Sequence, residues 1–279
     1  RIDATDGRVS KLYDVVPGAR EGWTWDWGYV ARPNGRQLIG SAVKAGTSWT
    51  NFWGTAGAGW YDSKAGAVTH KVCSDNLFSL DVDSGKQQWT YHGGLILNPT
   101  ITVAEGRVYF VECRNARVIA SDSRRVGLPE LWQDQFLVAL DLATGRSVWR
   151  RPIDTADGTV VFYLACGQGR LVLVASDTRY HVYGFSAKDG RLAWNVDFPW
   201  PSDNHGHHMS RPAIVAGRVF VRPRVIDLAS GKLLDGSMPD GGCGTYALTD
   251  RAVIFRAGDV KLWDFTANKK TGFPRLRPG

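Results

Sequence analysis

The sequence predicts an all-β fold, a β-propeller of four-stranded blades, and three observations carry that prediction. The 279 residues include 32 Gly, 12 Pro, 12 Trp and 9 Tyr but only 2 Met, a set suited to many short strands joined by tight turns and packed with aromatic rings. A turn motif recurs along the whole chain at steps close to one blade. Ahead of each turn, apolar side chains alternate with the period of two that marks a strand.

The repeat is clearest where three segments superpose without gaps: LFSLDVDSGKQQW from Leu77 to Trp89, LVALDLATGRSVW from Leu137 to Trp149, and VYGFSAKDGRLAW from Val182 to Trp194. Each places a glycine four residues before a tryptophan. Weaker copies are IDATDGRVS from Ile2, LIGSAVKAGTSW from Leu38 to Trp49, VIDLASGKLL from Val225 and LWDFTANKK from Leu262. The marks fall at Gly7, Gly46, Gly85, Gly145, Gly190, Gly231 and Asn268, in steps of 39, 39, 60, 45, 41 and 37 residues. A four-stranded blade takes about 40 to 45 residues, so one step is long by roughly 20.

The chemistry of the unit explains its residues. Leu137 and Ala139 face one way and Val138 and Leu140 the other, as in a strand buried on both sides. Asp141 and Thr144 are placed to bind turn amides, and Gly145 supplies a positive φ that a Cβ opposes. Asn268 suits the same position, because Asn tolerates the left-handed region better than most residues. Trp149 follows on the outer strand, where a large ring fills the wedge between blades. Sheets of this kind cannot bury their faces alone and stack into a ring. Residues 1–279 are therefore read as one propeller domain whose two ends fall inside terminal repeats.

Lys and Arg exceed Asp and Glu by 34 to 27, a net charge of +7. The basic residues are scattered in pairs such as Arg124-Arg125, Arg150-Arg151 and Lys269-Lys270. A phosphate-tracking surface needs clustered cations, so nucleic acid is not an expected partner. No apolar run approaches the roughly 18 residues that span a bilayer, and no signal-like stretch follows Arg1. Cys73, Cys113, Cys166 and Cys243 form no CxxC or CxxCH unit, which leaves them as core thiols or as one or two bridges.

When the four strands of a blade run outward in chain order, the glycine turns between third and fourth strands share one end. Loops between second and third strands, and the crossovers between blades, share the other. The long step makes Arg114 to Gln135 an enlarged loop on that second end, and loops of such length are functional or disordered. The crossover from Phe198 to Arg211 opens on the same side. Arg117, Arg124, Arg125 and Trp132, with Asn204 and Arg211, are the expected ligand face; Asp122, Glu130 and Asp134 add charge of the other sign. The alternative is that the insertion plugs the channel or covers a blade edge.

His205, His207 and His208 stand one and three positions apart around Gly206. They can share a transition metal, or they can hydrogen-bond backbone and shape a polar loop. Weaker strings also invite readings. Gly54 to Gly59 lacks the Lys-Ser/Thr of a phosphate loop. Trp23, Trp25 and Trp27 alternate like a stacking platform or a packed strand face. Cys166 lies in a Cys-Gly-Gln-Gly string with no base placed beside it.

The repeat resembles that of PQQ-like, or quinoprotein-like, propellers, in which a strand ending Leu-Tyr-Ala-Leu-Asp is followed by Ala-Thr-Gly-Lys and a strand with Trp. NHGHHMSRPAIVAGRVFVRP (Asn204 to Pro223) and CGTYALTDRAVIFR (Cys243 to Arg256) further resemble BamB-like propellers. The resemblance implies about eight blades, of which seven marks are visible. It implies an extracytoplasmic, periplasmic location and a non-catalytic scaffold that binds a protein or carbohydrate partner on its loop face. The alternative it carries is a PQQ- and calcium-dependent dehydrogenase of alcohols or sugars. Adjacent cysteines and a CxxCH haem segment, found in many such enzymes, do not occur here, and no position matches their catalytic Asp or calcium ligands. No cofactor is expected on the first reading; PQQ with calcium belongs to the second.

Overall fold

A computed structural model describes residues 2–47, 70–158, 161–199, 211–241 and 246–273. These form five antiparallel sheets that follow one another along the chain. In the first, β1 (Trp25–Ala31) pairs with β2 (Gln37–Lys44); the chain then passes through β3 (Lys71–Ser74) before β4 (Asn76–Asp81) and β5 (Gln87–Tyr91) complete the sheet. In the second, the innermost strand is split into β6 (Leu95–Leu97) and β7 (Thr102–Ala104), which flank opposite ends of β8 (Arg107–Cys113). Two short elements, α1 (Ala116–Ala120) and β9 (Arg125–Val126), intervene before β10 (Gln135–Asp141) and β11 (Ser147–Pro152).

The third sheet is the regular one: β12 (Phe162–Gly167), β13 (Arg170–Ser176), β14 (Arg179–Ser186) and β15 (Leu192–Pro199) pair in chain order. The fourth has β16 (Ala213–Val215), β17 (Arg218–Val221) and β18 (Arg224–Asp227), its outer strand reduced to one bridge between Ile226 and Leu233. The fifth holds β19 (Ala247–Leu248), β20 (Ala252–Ala257), β21 (Asp259–Asp264) and β22 (Lys269–Gly272). The sole described α-helix is α1, five residues long and inside the predicted insertion.

The core lies between successive sheets. Leu137 and Ala139 of β10 join Phe162, Leu171 and Leu173 of the third sheet, while Val138 and Leu140 join Ile39, Leu77 and Phe110 on the other side. The two faces of one strand thus serve two different interfaces, as the alternation required. Val172, Val174 and Val182 meet Val219 and Ile226, and Phe220 and Val225 meet Val253 and Phe255.

All seven turn marks have positive φ, from 48° at Asn268 to 80° at Gly46. The turns are nearly identical: Gly85, Gly145 and Gly231 each donate N–H to the carbonyl of the Asp four residues earlier, at 2.8 to 2.9 Å. One oxygen of Asp141 accepts from both the amide (2.9 Å) and hydroxyl (2.7 Å) of Thr144. Asp81 does the same with Ser84 and Asp227 with Ser230.

One mark has another meaning. Gly46 does not close a blade of its own; it starts the connection from β2 to β3 inside the sheet that Gly85 also serves. Ala42 stands where the turn carboxylate belongs, and Trp49 follows Gly46 by three residues rather than four. The first sheet therefore carries its own insertion between second and third strands, and the five described sheets correspond to fewer blades than the marks suggested.

Candidate binding face

The two insertions meet each other on the end of the sheets remote from the glycine turns. In the β8–β10 pair, Asp141 lies opposite Arg107 and Gln135 opposite Cys113, so Arg114 to Asp134 emerges at the Cys113 end. There β9 pairs with β3, Lys71 facing Val126 and Val72 facing Arg125. Strand β3 also pairs with β6. The loop is thereby a folded continuation of the second sheet.

Its packing is fixed from inside. Val118, Val126 and Leu131 are buried in the core between second and third sheets. Asn115 caps α1 by accepting from the Arg117 amide at 3.1 Å and donates to Asp134 at 3.1 Å. The Gln135 amide group reaches back to the Leu131 carbonyl at 3.0 Å.

Arg124 was expected on the ligand face, and the structure corrects this. Its side chain is only 1% exposed. Nε and Nη2 grip the two oxygens of Asp75 at 2.6 and 2.7 Å, Nη1 donates to the Ser121 carbonyl at 2.7 Å, and the guanidinium lies 4.7 Å from the Trp23 ring. Arg20 and Lys44 approach the same ring at 4.6 and 4.3 Å, and both bond Asp122, Arg20 through its carboxylate and Lys44 through its carbonyl. Trp23 is thus a packed hub joining the first sheet to the insertion. Trp25 is tilted against it, ring centroids 5.7 Å apart at 46°, and Trp27 instead meets Phe78 edge-on at 5.2 Å, so the three indoles form no flat platform.

Trp132 is half-buried and stands edge-on to Phe162, ring centroids 5.1 Å apart. It anchors the insertion to the third sheet. Arg117 is 70% exposed and ion-pairs with Glu130; Arg125 is half-buried on β9. Arg211 is exposed beside the innermost strand of the third sheet, its guanidinium 5.1 Å from the Tyr163 ring. Asn204, His205, His207, His208 and the Gly54 to Gly59 string lie outside the described residues. Among the described residues no group of three or more His, Cys, Asp or Glu could hold a metal.

Burial keeps the three described thiols protonated. Cys73, Cys113 and Cys166 are free; Cys243 lies outside the described residues. Burial pushes Cys113 up to about 11 and Cys166 to about 12, and Cys73 higher still, so the thiolate is scarce at neutral pH. The turn carboxylates are occupied by their own turns: hydrogen bonds from Thr144 hold Asp141, and those from Ser84 hold Asp81, below the ordinary carboxylate range.

Sequence reasoning missed a second buried anchor on this end. Glu112 is fully buried and accepts from the Tyr91 hydroxyl (2.9 Å), the Gly94 amide (2.9 Å) and Arg114 Nε (2.6 Å). Burial, with the Glu112 charge, raises the Tyr91 phenol. Acid and guanidinium stand two residues apart, but the phenol lies 21 residues earlier, and the pairing of β6 with β8 brings its segment alongside them.

Residues 80–242 match the family described as outer membrane protein assembly factor BamB. The chain belongs to this family. Its PQQ-like repeats are those the turn motif indicated. The BamB of Burkholderia pseudomallei (strain K96243) is 26% identical over 242 residues, which cover 84% of this chain and 56% of that protein. The chain therefore spans little more than half the length of that relative. Among solved structures, BamB from Moraxella catarrhalis aligns with a TM-score of 0.46 and 12% identity, over 70% of this chain and 60% of that one. Exotype rhamnogalacturonan lyase YesX aligns with a TM-score of 0.53 and 13% identity, over 96% of this chain and 52% of that one. The likeness to the lyase is one of fold alone.

Proposed function

We propose that the chain is a non-catalytic scaffold that binds a protein partner through its loop-bearing end, outside the cytoplasm, in the assembly of outer membrane proteins. The observation that carries this reading is the asymmetry of the two ends. The glycine-turn end is minimal and internally satisfied. The other end is enlarged by two insertions that pair with each other through β3 and β9 and are pinned by Arg124, Asp75 and Trp23. A pre-ordered surface loses little conformational entropy on binding. It presents Arg117, Asp122 and Arg125 with the exposed Arg211 beyond, a mixed-charge rim of the kind that recognises protein surfaces. Membership of the BamB family, outer membrane protein assembly factors by description, supports an assembly role and the envelope as the location.

The reading assigns no cofactor. Incubating the full-length native protein with PQQ and Ca²⁺, followed by an absorbance spectrum and metal analysis, separates it from the dehydrogenase alternative: the scaffold leaves no stoichiometric quinone bound. Alanine at His205, His207 and His208 tests whether those side chains contribute a metal site; metal content unchanged by the triple substitution dismisses it. Fractionation places the native protein in the envelope or, against the reading, in the cytosol.

A further inference from the structure

The turn between β17 and β18 in the fourth sheet holds a buried arginine that, among the described residues, leaves two of its donor nitrogens without a hydrogen-bond partner. Arg222 is 2% exposed, yet Nε and Nη2 have no hydrogen-bond partner. Its guanidinium lies between rings, 5.0 Å from Phe255 and 5.7 Å from Tyr246. The titratable groups that face it are the Tyr246 and Tyr180 phenols and the Asp240 carboxyl; burial outweighs them and lowers the guanidinium's affinity for its proton. The Tyr246 hydroxyl is turned elsewhere, donating to the Phe220 carbonyl at 2.5 Å. Gly241 is packed so closely on the guanidinium that a Cβ there would collide with Nη1.

The two empty atoms are the ones that matter chemically. Nε and Nη2 form the side-on edge of a guanidinium, whose parallel N–H bonds match the two oxygens of a carboxylate. The protein shows the filled version of this arrangement at Arg124, where the same two atoms grip Asp75 at 2.6 and 2.7 Å. A buried guanidinium left without such a partner is costly, and among the described residues Nε and Nη2 of Arg222 meet aromatic rings and no hydrogen-bond acceptor.

We infer that Arg222 is the recognition element of a carboxylate-binding site at the loop-bearing end of the fourth sheet. A planar monoanion fits better than a tetrahedral dianion, because one guanidinium supplies one positive charge and Asp240 already adds a negative one nearby. Gly241 leaves the guanidinium covered by backbone alone on that side. The carboxylate comes from a small organic acid or from an acidic side chain of a polypeptide, and both present the same two oxygens. The site is independent of the partner surface proposed above, which lies on the first and second sheets.

The test uses the full chain, with Arg222 Nε–H followed by NMR and unfolding followed by heat. Sodium acetate, titrated against sodium chloride at fixed ionic strength, is expected to shift the Arg222 Nε–H resonance saturably and to raise the Tm. Both effects are expected to vanish in Arg222→Met, and Arg222→Lys, which keeps the charge and loses the fork, is expected to lose at least tenfold in acetate affinity. A short Glu-containing peptide that produces the same shift at lower concentration than acetate assigns the source to a polypeptide; acetate alone producing it assigns a small acid. If Arg222→Met fails to fold, the wild-type resonance decides. Absence of a saturable shift with either probe overturns the site, and sulfate saturating it more tightly than acetate overturns the carboxylate assignment.

Discussion

Trp149 reaches from the second sheet to the third, where its indole lies against Gly190 and donates to the Ala187 carbonyl at 3.3 Å. The same contact joins the neighbouring sheets. Trp89 lies on Gly145 and donates to the Leu142 carbonyl at 3.0 Å, and Trp194 lies on Gly231 and donates to Leu228 at 2.9 Å. Tyr13 takes the role ahead of the first sheet, its hydroxyl reaching the Val82 carbonyl at 2.7 Å. In each case the acceptor directly follows the first residue of the turn, and its own N–H is held within its sheet, as Leu142 is by Gly106 and Leu228 by Gly217. The turn motif therefore does two things at once: it reverses the chain, and it offers a flat, side-chain-free seat and a carbonyl to the preceding blade.

That double role gives glycine a different value at different turns. A Cβ at Gly145 would come within 2.5 Å of the Trp89 ring, whereas one at Gly106 would meet nothing within 4 Å, although both have φ near 70°. Gly106→Ala should cost about 1 kcal/mol, the strain of the backbone alone. Gly145→Ala should cost about 3 kcal/mol, because the indole must also move. Urea unfolding of the two variants checks the difference; equal costs contradict the seat.

The insertion was legible as an insertion but not as a folded element. Its length followed from the 60-residue step between Gly85 and Gly145. The residues that hold it, Asp75 and Trp23, lie far away in sequence and outside the repeat motif, so nothing in the spacing marked Arg124 as internal. The reverse error occurred at Gly46, where an alternating apolar run followed by glycine imitated a blade turn although the carboxylate was missing. Local chemistry fixed the turns because every partner lies within five residues. Long-range pairing fixed the loop end, and a single sequence carries little trace of it.

Deleting residues 117–134 should accordingly destabilise the protein, contrary to what a mobile recognition loop would do, since Val118, Val126 and Leu131 leave the core with it. The point substitution Arg124→Ala isolates the anchor. Removing one partner of a buried ion pair costs about 3 to 5 kcal/mol, and a loss below about 1 kcal/mol in chemical denaturation would show that the Asp75 contact is not the anchor.

Lys71, on β3 beneath the insertion, is 4% exposed. Burial pushes its ammonium down to about 7, against a smaller opposing pull from Cys73. An unfolded lysine titrates near 10.4, so above pH 7 the unfolded chain holds a proton that the folded chain has lost. Stability should therefore rise with pH through this group between about 7 and 10.4, by at most about 1.4 kcal/mol per unit, and level off below pH 7, where both states hold the proton. Between pH 7 and 8.5 the rise should be visible in wild type and absent in Lys71→Met. Parallel pH profiles would place the Lys71 amine in a charged state throughout.

The central claim is that the loop-bearing end, and not the glycine-turn end, meets the partner. Photo-crosslinking residues placed one at a time at Arg117, Arg125, Ala143 and Lys188 of the full-length protein in living cells test it most directly, Arg117, Ala143 and Lys188 being exposed and Arg125 partly so. The account predicts discrete protein adducts from positions 117 and 125 and none from 143 and 188, which sit in the turns of Gly145 and Gly190. Adducts from 143 and 188 with none from 117 and 125 would contradict it.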